Sequence, residues 1–347
     1  MRQVRIGRTG IHSSAMGLGC MGMSEFYGPA DDAESLAVLE RALELGITQF
    51  DTSNIYGRGH NEELLGRFLK GRRDKVVVSS KWGILRDPNG PLGSTYDRDL
   101  DNSPEHLAEA IEGSLRRLGT DCIDLYYVHR LDPDVPVEEV VGAMARLVEA
   151  GKIRAIGLSE VGADTLRRAC AVHPVSVLQS EYSLWERGAE AEVIPACRAL
   201  GITFVAYSPL GRGFLTGAIK QAAALDASDL RLRSPRFQDG NIDRNLAMLE
   251  KIREIAARHD ATLGQIALAW ILCGNDDMIP IPGTKRLKYL EENAGAEQVR
   301  LTAAEVAELG EILVPAAIAG ARHWVATDAP GGGTGQPGDP AARGPRG

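Results

Sequence analysis

Between residues 15 and 281 short apolar runs alternate with longer stretches whose apolar positions recur every three or four residues. The runs predict strands at 15–19, 47–53, 75–80, 123–128, 155–159, 175–180, 203–207 and 278–281. The stretches between them predict helices at 33–45, 61–69, 104–118, 137–150, 163–172 and 192–200, with further helices at 245–258, 263–272, 287–293 and 303–313. Local chemistry marks the ends: Asp31-Asp32 and Ser103-Pro104-Glu105 open helices, and Gly46, Gly71, Gly119 and Gly151 close them. Ahead of the first strand, residues 2–12 read as a β-hairpin, with Gly7 and Thr9-Gly10 supplying the turn. The rhythm breaks at 214–243, a long insertion with a polar, Pro-interrupted middle.

Eight strands, each followed by a helix or a helix-containing crossover, predict an α/β fold: a single (β/α)8 TIM barrel. The strands are nearly continuous in apolar residues, as parallel strands covered on both faces are. One barrel domain is expected over residues 1–329, and the Gly/Pro-rich run from Pro330 to residue 347 predicts a disordered tail. Chemistry in such a barrel sits at the C-terminal ends of the strands.

Charge narrows the partners. The net charge of −8, from 39 basic against 47 acidic residues without a basic run, argues against nucleic acid and anionic membranes. No apolar run reaches the roughly 18 residues of a membrane span and no signal-like core follows Met1, so a cytoplasmic protein is expected. The five cysteines are scattered without a CxxC, which indicates neither a disulfide framework nor a zinc site. Of seven histidines one stands at a strand end, too few ligands for a metal-dependent hydrolase. Nothing in the pattern calls for an oligomer.

Gly17-Leu18-Gly19-Cys20-Met21-Gly22 has the GxGxxG spacing, with Asp51 at the end of the next strand. A dinucleotide fold needs the helix to begin within the glycines. Here residues 23–30, with Gly28-Pro29, intervene, so the match is a decoy. The stronger signal lies at successive strand ends, which deliver Asp51, Tyr56, Lys81 and His129. Each has an ordinary packing or capping reading when taken singly. Jointly they form a proton-transfer site: an ammonium lowers the phenol's pKa, a carboxylate holds the ammonium, and the imidazole orients a carbonyl oxygen. No nucleophile is among them.

These residues, in the contexts FDTSNIYG, SSKWG and LYYVHR, resemble the catalytic tetrad of the aldo/keto reductase superfamily, most closely its microbial and plant members. The resemblance extends over about residues 2–314. It implies hydride delivery from a nicotinamide to a carbonyl carbon with Tyr56 as general acid, hence an NADP-dependent oxidoreductase that converts aldehydes or ketones to alcohols. Carried over by motif, Gly19, Cys20 and Met21 line the cofactor, Ser159 and Gln179 hold the carboxamide, and Tyr207 stacks on the nicotinamide. Ser208, Leu210, Gly211 and Arg212 resemble the pyrophosphate loop, with Arg212 supplying charge. Gly283, Thr284, Lys285, Arg286, Glu292 and Asn293 resemble the contacts to the 2'-phosphate and adenine.

Two positions depart from the family pattern: Glu160 stands where many relatives have Asn, and Tyr289 where Arg or Gln is frequent. The latter shifts phosphate recognition onto Lys285 and Arg286, two cations at one helix N-terminus, which predicts NADPH over NADH. Tyr27 and Trp82, with Tyr56 and His129, are expected to wall a pocket for a small carbonyl substrate, a candidacy that Trp185 and Phe237 share with core packing. The alternative reading is an NADPH-binding, redox-sensing barrel with little turnover.

Overall fold

The computed structural model describes residues 1–87, 99–221, 225–226, 229–238 and 240–322. The expected tail lies outside the described residues. Eight parallel strands form one sheet in the order β10-β9-β8-β7-β6-β5-β4-β3: β3 (Leu18–Gly19), β4 (Gln49–Asp51), β5 (Val77–Trp82), β6 (Ile123–Val128), β7 (Ile153–Ser159), β8 (Val175–Glu181), β9 (Thr203–Tyr207) and β10 (Met278–Pro280). The sheet closes on itself through a parallel bridge between Gly19 and Gly283 and hydrogen bonds from Gly17 N to Pro280 O (3.0 Å) and Gly19 N to Pro282 O (3.3 Å). Glycine is required at this seam: a Cβ on Gly19 would lie 2.9 Å from Ile281 O.

Side chains along each strand divide between two layers, as period-two geometry dictates. Val77, Leu125, Tyr127, Ala155, Val177, Val205 and Ile279 fill the barrel interior. Val78, Tyr126, Val128, Ile156, Leu158, Leu178 and Phe204 pack outward under the helices. The antiparallel hairpin of β1 (Gln3–Arg5) and β2 (His12–Ser14) plugs the N-terminal end, with Ile6 and Ile11 joining the interior cluster.

The helices start where their caps predict. The Asp31 side chain accepts from Glu34 N (2.9 Å) ahead of α1 (Asp32–Glu44), and Ser103 accepts from His106 N (3.2 Å) ahead of α3 (Pro104–Leu118). Between and after them come α2 (His60–Leu69), α4 (Val137–Glu149), α5 (Ala163–Val172), α6 (Val193–Leu200), α7 (Asn241–Arg258), α8 (Leu263–Leu272), α9 (Leu287–Gly295) and α10 (Ala303–Ile312). The Gly17–Gly22 run leads only into a single turn, Met21–Met23, far ahead of α1, so no helix N-terminus meets those glycines.

The insertion differs from the expected polar excursion. Its described residues include short 3-10 turns at Gly211–Thr216, Leu230–Arg233 and Pro235–Phe237, and α7 begins four residues before the predicted 245 because Ile242 is itself buried. Trp185 stacks on Phe214 at 3.9 Å between ring centroids and meets Phe237 edge-on at 5.5 Å, so both candidates serve as core beneath the insertion.

Candidate active site

The loop after β4 carries Tyr56 on the turn Tyr56–Gly59, in which Gly57 and Arg58 both have left-handed backbone (φ 55° and 56°). Non-glycine residues rarely adopt that conformation. Among the described residues six do, and Phe26, Arg58, Glu160, Ser208 and Arg212 all follow the C-terminal ends of strands. Backbone strain thus gathers at one face of the barrel, where sites are built.

Lys81 extends inward from β5, fully buried. Its Nζ donates to Asp51 Oδ1, to Thr52 O (2.9 Å) and to the Tyr56 hydroxyl (3.5 Å). Gln179 Nε2 donates to the other Asp51 oxygen at 2.8 Å. His129, which follows β6, has Nδ1 3.1 Å from Ser53 Oγ and its ring edge-on to Tyr56 at 5.8 Å between centroids. All four tetrad residues therefore meet in one buried cluster.

The electrostatics correct one expectation. Burial and then the Asp51 charge push the Tyr56 phenol well above its ordinary value, with Arg130 opposing. The Lys81 ammonium, shared with Asp51, does not bring it below that value as expected, because burial outweighs it. Burial also lowers Lys81, with Asp51 opposing. His129 is held well below the usual imidazole range by burial, Arg130 and Lys81, so it is neutral at physiological pH. A neutral His129 that accepts the Ser53 hydroxyl proton at Nδ1 carries its own proton on Nε2, a donor for a carbonyl oxygen.

The other predicted residues spread around the same mouth, several already engaged. Gln179 holds Asp51, and Ser159 Oγ accepts from Arg130 Nη1 at 3.0 Å. Burial raises the Tyr207 phenol at the end of β9. Arg212 lies 3.6 Å from Glu181 Oε2 rather than as a free cation. Ser208 has left-handed backbone (φ 50°) and its carbonyl accepts from Gly211 N, with Leu210 half-buried between them. The Cys20 thiol is buried and bonds Leu18 O at 3.6 Å, with Met21 half-buried beside it.

In the loop after β10 Lys285 Nζ donates to the carbonyls of Tyr27 (2.8 Å), Gly28 (2.9 Å) and Pro29 (2.6 Å), and Arg286 pairs with Glu34. Thr284 Oγ1 accepts from Arg286 N (3.1 Å), Glu292 takes the Thr262 hydroxyl (2.8 Å), and Asn293 is buried. Tyr289 is exposed. Tyr27 lies under the Arg231 guanidinium at 5.2 Å. Trp82 is a correction: it points outward from β5 toward His106 of α3 with no accessible surface, so it walls no pocket.

Sequence reasoning missed Arg130, Ser53 and Glu181 as parts of this site, and the pairing of Gln179 with Asp51. Arg130 and Ser53 adjoin strand-end residues already singled out, and that adjacency was the available signal. The Gln179–Asp51 bond joins residues 128 apart in the chain and has no local signature.

The strand ends of this barrel bring together a phenol, an ammonium–carboxylate pair and a neutral imidazole, the groups a proton transfer requires. The chain belongs to the aldo/keto reductase family, whose model matches residues 15–314, and it is an oxidoreductase on that ground. It is similar to the Schizosaccharomyces pombe aldo-keto reductase yakc, whose name specifies NADP(+), at 48% identity over 314 residues, which are 89% of this chain and 91% of that one. It also resembles the structure of the glycerol dehydrogenase AKR11B4 from Gluconobacter oxydans, with TM-score 0.82 and 27% identity over 90% of this chain and 96% of that one. An aldo/keto reductase from Klebsiella pneumoniae, solved in complex with NADP and acetate, matches with TM-score 0.69 and 27% identity over 90% of this chain and 95% of that one.

Proposed function

We propose that this chain reduces aldehydes or ketones to alcohols with NADPH, Tyr56 donating the proton. The residues at the mouth fit the dinucleotide in kind. Ser159 and Gln179 offer hydroxyl and amide groups for a carboxamide, Tyr207 offers a flat face, and Arg212, Lys285 and Arg286 offer cations for phosphates. Arg212 sits in a loop whose Gly211 and Gly213 have positive φ (55° and 89°), and a Cβ at Gly211 would lie 2.7 Å from the Trp185 ring, so the chain must pass close there. The names of the NADP(+) relative and of the NADP complex support the same cofactor. Lys285 and Arg286 must exchange their present protein partners for a phosphate, which makes their contribution a difference between two sets of bonds.

When bound, the nicotinamide supplies the hydride. The chain's own part is to place the substrate oxygen between the Tyr56 hydroxyl and His129 Nε2. Tyr56, protonated at neutral pH, gives up its proton as that oxygen gains charge, and the adjacent Lys81 ammonium stabilises the phenolate left behind. Asp51, fixed by Gln179, keeps Lys81 oriented. Running in reverse, the same groups oxidise an alcohol, and the high phenol pKa makes that direction gain with rising pH.

The observation that carries this reading is the buried Lys81–Asp51 pair lying directly behind the Tyr56 hydroxyl. NADPH consumption over a panel of aromatic and aliphatic carbonyls, with NADH in parallel, tests it. Tyr56→Phe is expected to lower kcat by roughly 10²–10⁴-fold while leaving the NADPH dissociation constant nearly unchanged. A Phe variant as active as wild type rules Tyr56 out as the acid. Tight NADPH binding with no turnover on any carbonyl favours the redox-sensing alternative.

A further inference from the structure

The last described residues, 315–322, lie beyond the stretch that matches the family and return to the barrel mouth. They sit in a built seat. Asn245 of α7, fully buried, accepts from Ala319 N (2.8 Å) and donates to Ala319 O (3.0 Å). Gly320 has φ +92°, and a Cβ there would come within 2.8 Å of the Arg236 backbone. This strap delivers Arg322, whose Nη2 donates to both Glu160 oxygens (3.0 Å each) and whose Nε donates to Glu181 Oε2 (3.0 Å).

Glu160 and Glu181 flank the ends of β7 and β8, beside Ser159 and Gln179. Glu160 also accepts from Ser180 Oγ (2.8 Å) and Glu181 N (2.9 Å). Burial raises its pKa, but Arg322, Arg130 and these hydrogen bonds together hold it at about 2. Two ionised carboxylates thus border the place proposed above for a polyanionic cofactor. Left alone they would repel it, and Glu181 would draw Arg212 away from it.

We propose that Arg322 is a positioning residue for the dinucleotide: the counter-charge that neutralises Glu160 and shares Glu181 with Arg212, weakening that carboxylate's hold on a cation suited to the pyrophosphate. This rests on the reading of the chain as an NADPH enzyme. It makes the segment beyond the family match part of the cofactor site, although Arg322 need not touch the cofactor.

Binding is measured without any carbonyl, by quenching of tryptophan fluorescence on titration with NADPH, in full-length protein whose folding is checked by thermal melting. Arg322→Gln is expected to raise the dissociation constant roughly tenfold or more, as expected for an uncompensated charge. Arg322→Lys retains the charge and most of the affinity. The discriminating result is the pair Glu160→Gln and Arg322→Gln combined, which removes charge from both sides and recovers most of the lost affinity; a strap that served only as packing would show no such rescue. An Arg322→Gln variant within about twofold of wild type, or a double variant as weak as the single, overturns the inference. Tight wild-type binding accompanying either result leaves the NADPH reading intact, whereas wild-type protein that does not bind NADPH overturns both.

Discussion

His129 is where burial and charge decide the chemistry most directly. Its side chain is buried against Tyr56, with Arg130 and Lys81 adding positive charge nearby, and all three influences disfavour the imidazolium. The unfolded chain takes up a proton near the ordinary value of 6.5, while the folded chain does not until well below it. Stability from this group is therefore fully present above that value and is lost as pH falls, at up to about 1.4 kcal/mol per pH unit. Unfolding free energies measured between pH 7 and 5 should show this slope in wild type and lose one proton's worth of it in His129→Gln; identical slopes would mean that His129 titrates normally in the fold. The tetrad was legible in the sequence because each member stands at the end of an apolar run, a position that strand geometry alone marks. The direction of the Tyr56 pKa was not legible, since it depends first on burial of the phenol and then on the Asp51 charge beside it. Nor were the present partners of Lys285, Arg286 and Arg212, because the carbonyls of residues 27–29, Glu34 of α1 and Glu181 of β8 come from elsewhere in the chain.

Among the secondary-structure elements, α2 helps to hold two of the strand-end loops. Asn61 in the first turn of α2 shows how. Its Nδ2 donates to Cys20 O (2.8 Å) and Ser24 Oγ (2.7 Å) from the loop after β3, and its Oδ1 accepts from Thr52 Oγ1 (2.6 Å) in the loop after β4. One buried amide thereby ties together the two loops that lead to Tyr27 and Tyr56. Asn61→Ala removes all three bonds; Cys20 O keeps Met23 N and Ser24 Oγ keeps the His60 ring, but Thr52 Oγ1 loses its partner away from water, and the change is expected to cost about 1–3 kcal/mol by denaturant unfolding. Because Tyr56 is carried by one of the freed loops, kcat should fall as well, whereas an Ala variant with unchanged stability would show that the loops hold themselves. Elements of this kind were readable from caps and periodicity, and α1, α3 and α5 began within a residue of expectation. The start of α7 was missed, because the signal that extends it is burial of Ile242, a tertiary fact. Trp82 was misplaced for a related reason: a strand residue's face follows from register, and Lys81 inward forces Trp82 outward.

For the molecule as a whole, the two ends of the barrel divide the work. The end where strands begin is closed by the hairpin, and near it, on the outer face of β6, Asp124 is a fully buried carboxylate that accepts from Val78 N (2.9 Å) and pairs with Arg73 (2.8 Å) and Arg154 (2.7 Å). That carboxylate is taken up by its donors, and among the described residues five of the six left-handed non-glycine residues follow the C-terminal ends of strands. The end where strands finish holds the tetrad, the cations of Arg212 and Lys285, and Arg322. Such a division implies that stability and catalysis can be perturbed separately. Asp124→Asn removes the charge that balances two guanidinium groups but keeps an acceptor for Val78 N. With Arg73 and Arg154 partly exposed, the loss should be about 2 kcal/mol rather than the roughly 3–5 of a fully buried pair. Thermal melting should register that loss while kcat and the NADPH dissociation constant stay within about twofold of wild type. A large fall in kcat at unchanged melting temperature would mean that the base of the barrel sets the geometry of the Lys81–Tyr56 contact through β5, whose backbone Asp124 grips at Val78, three residues before Lys81.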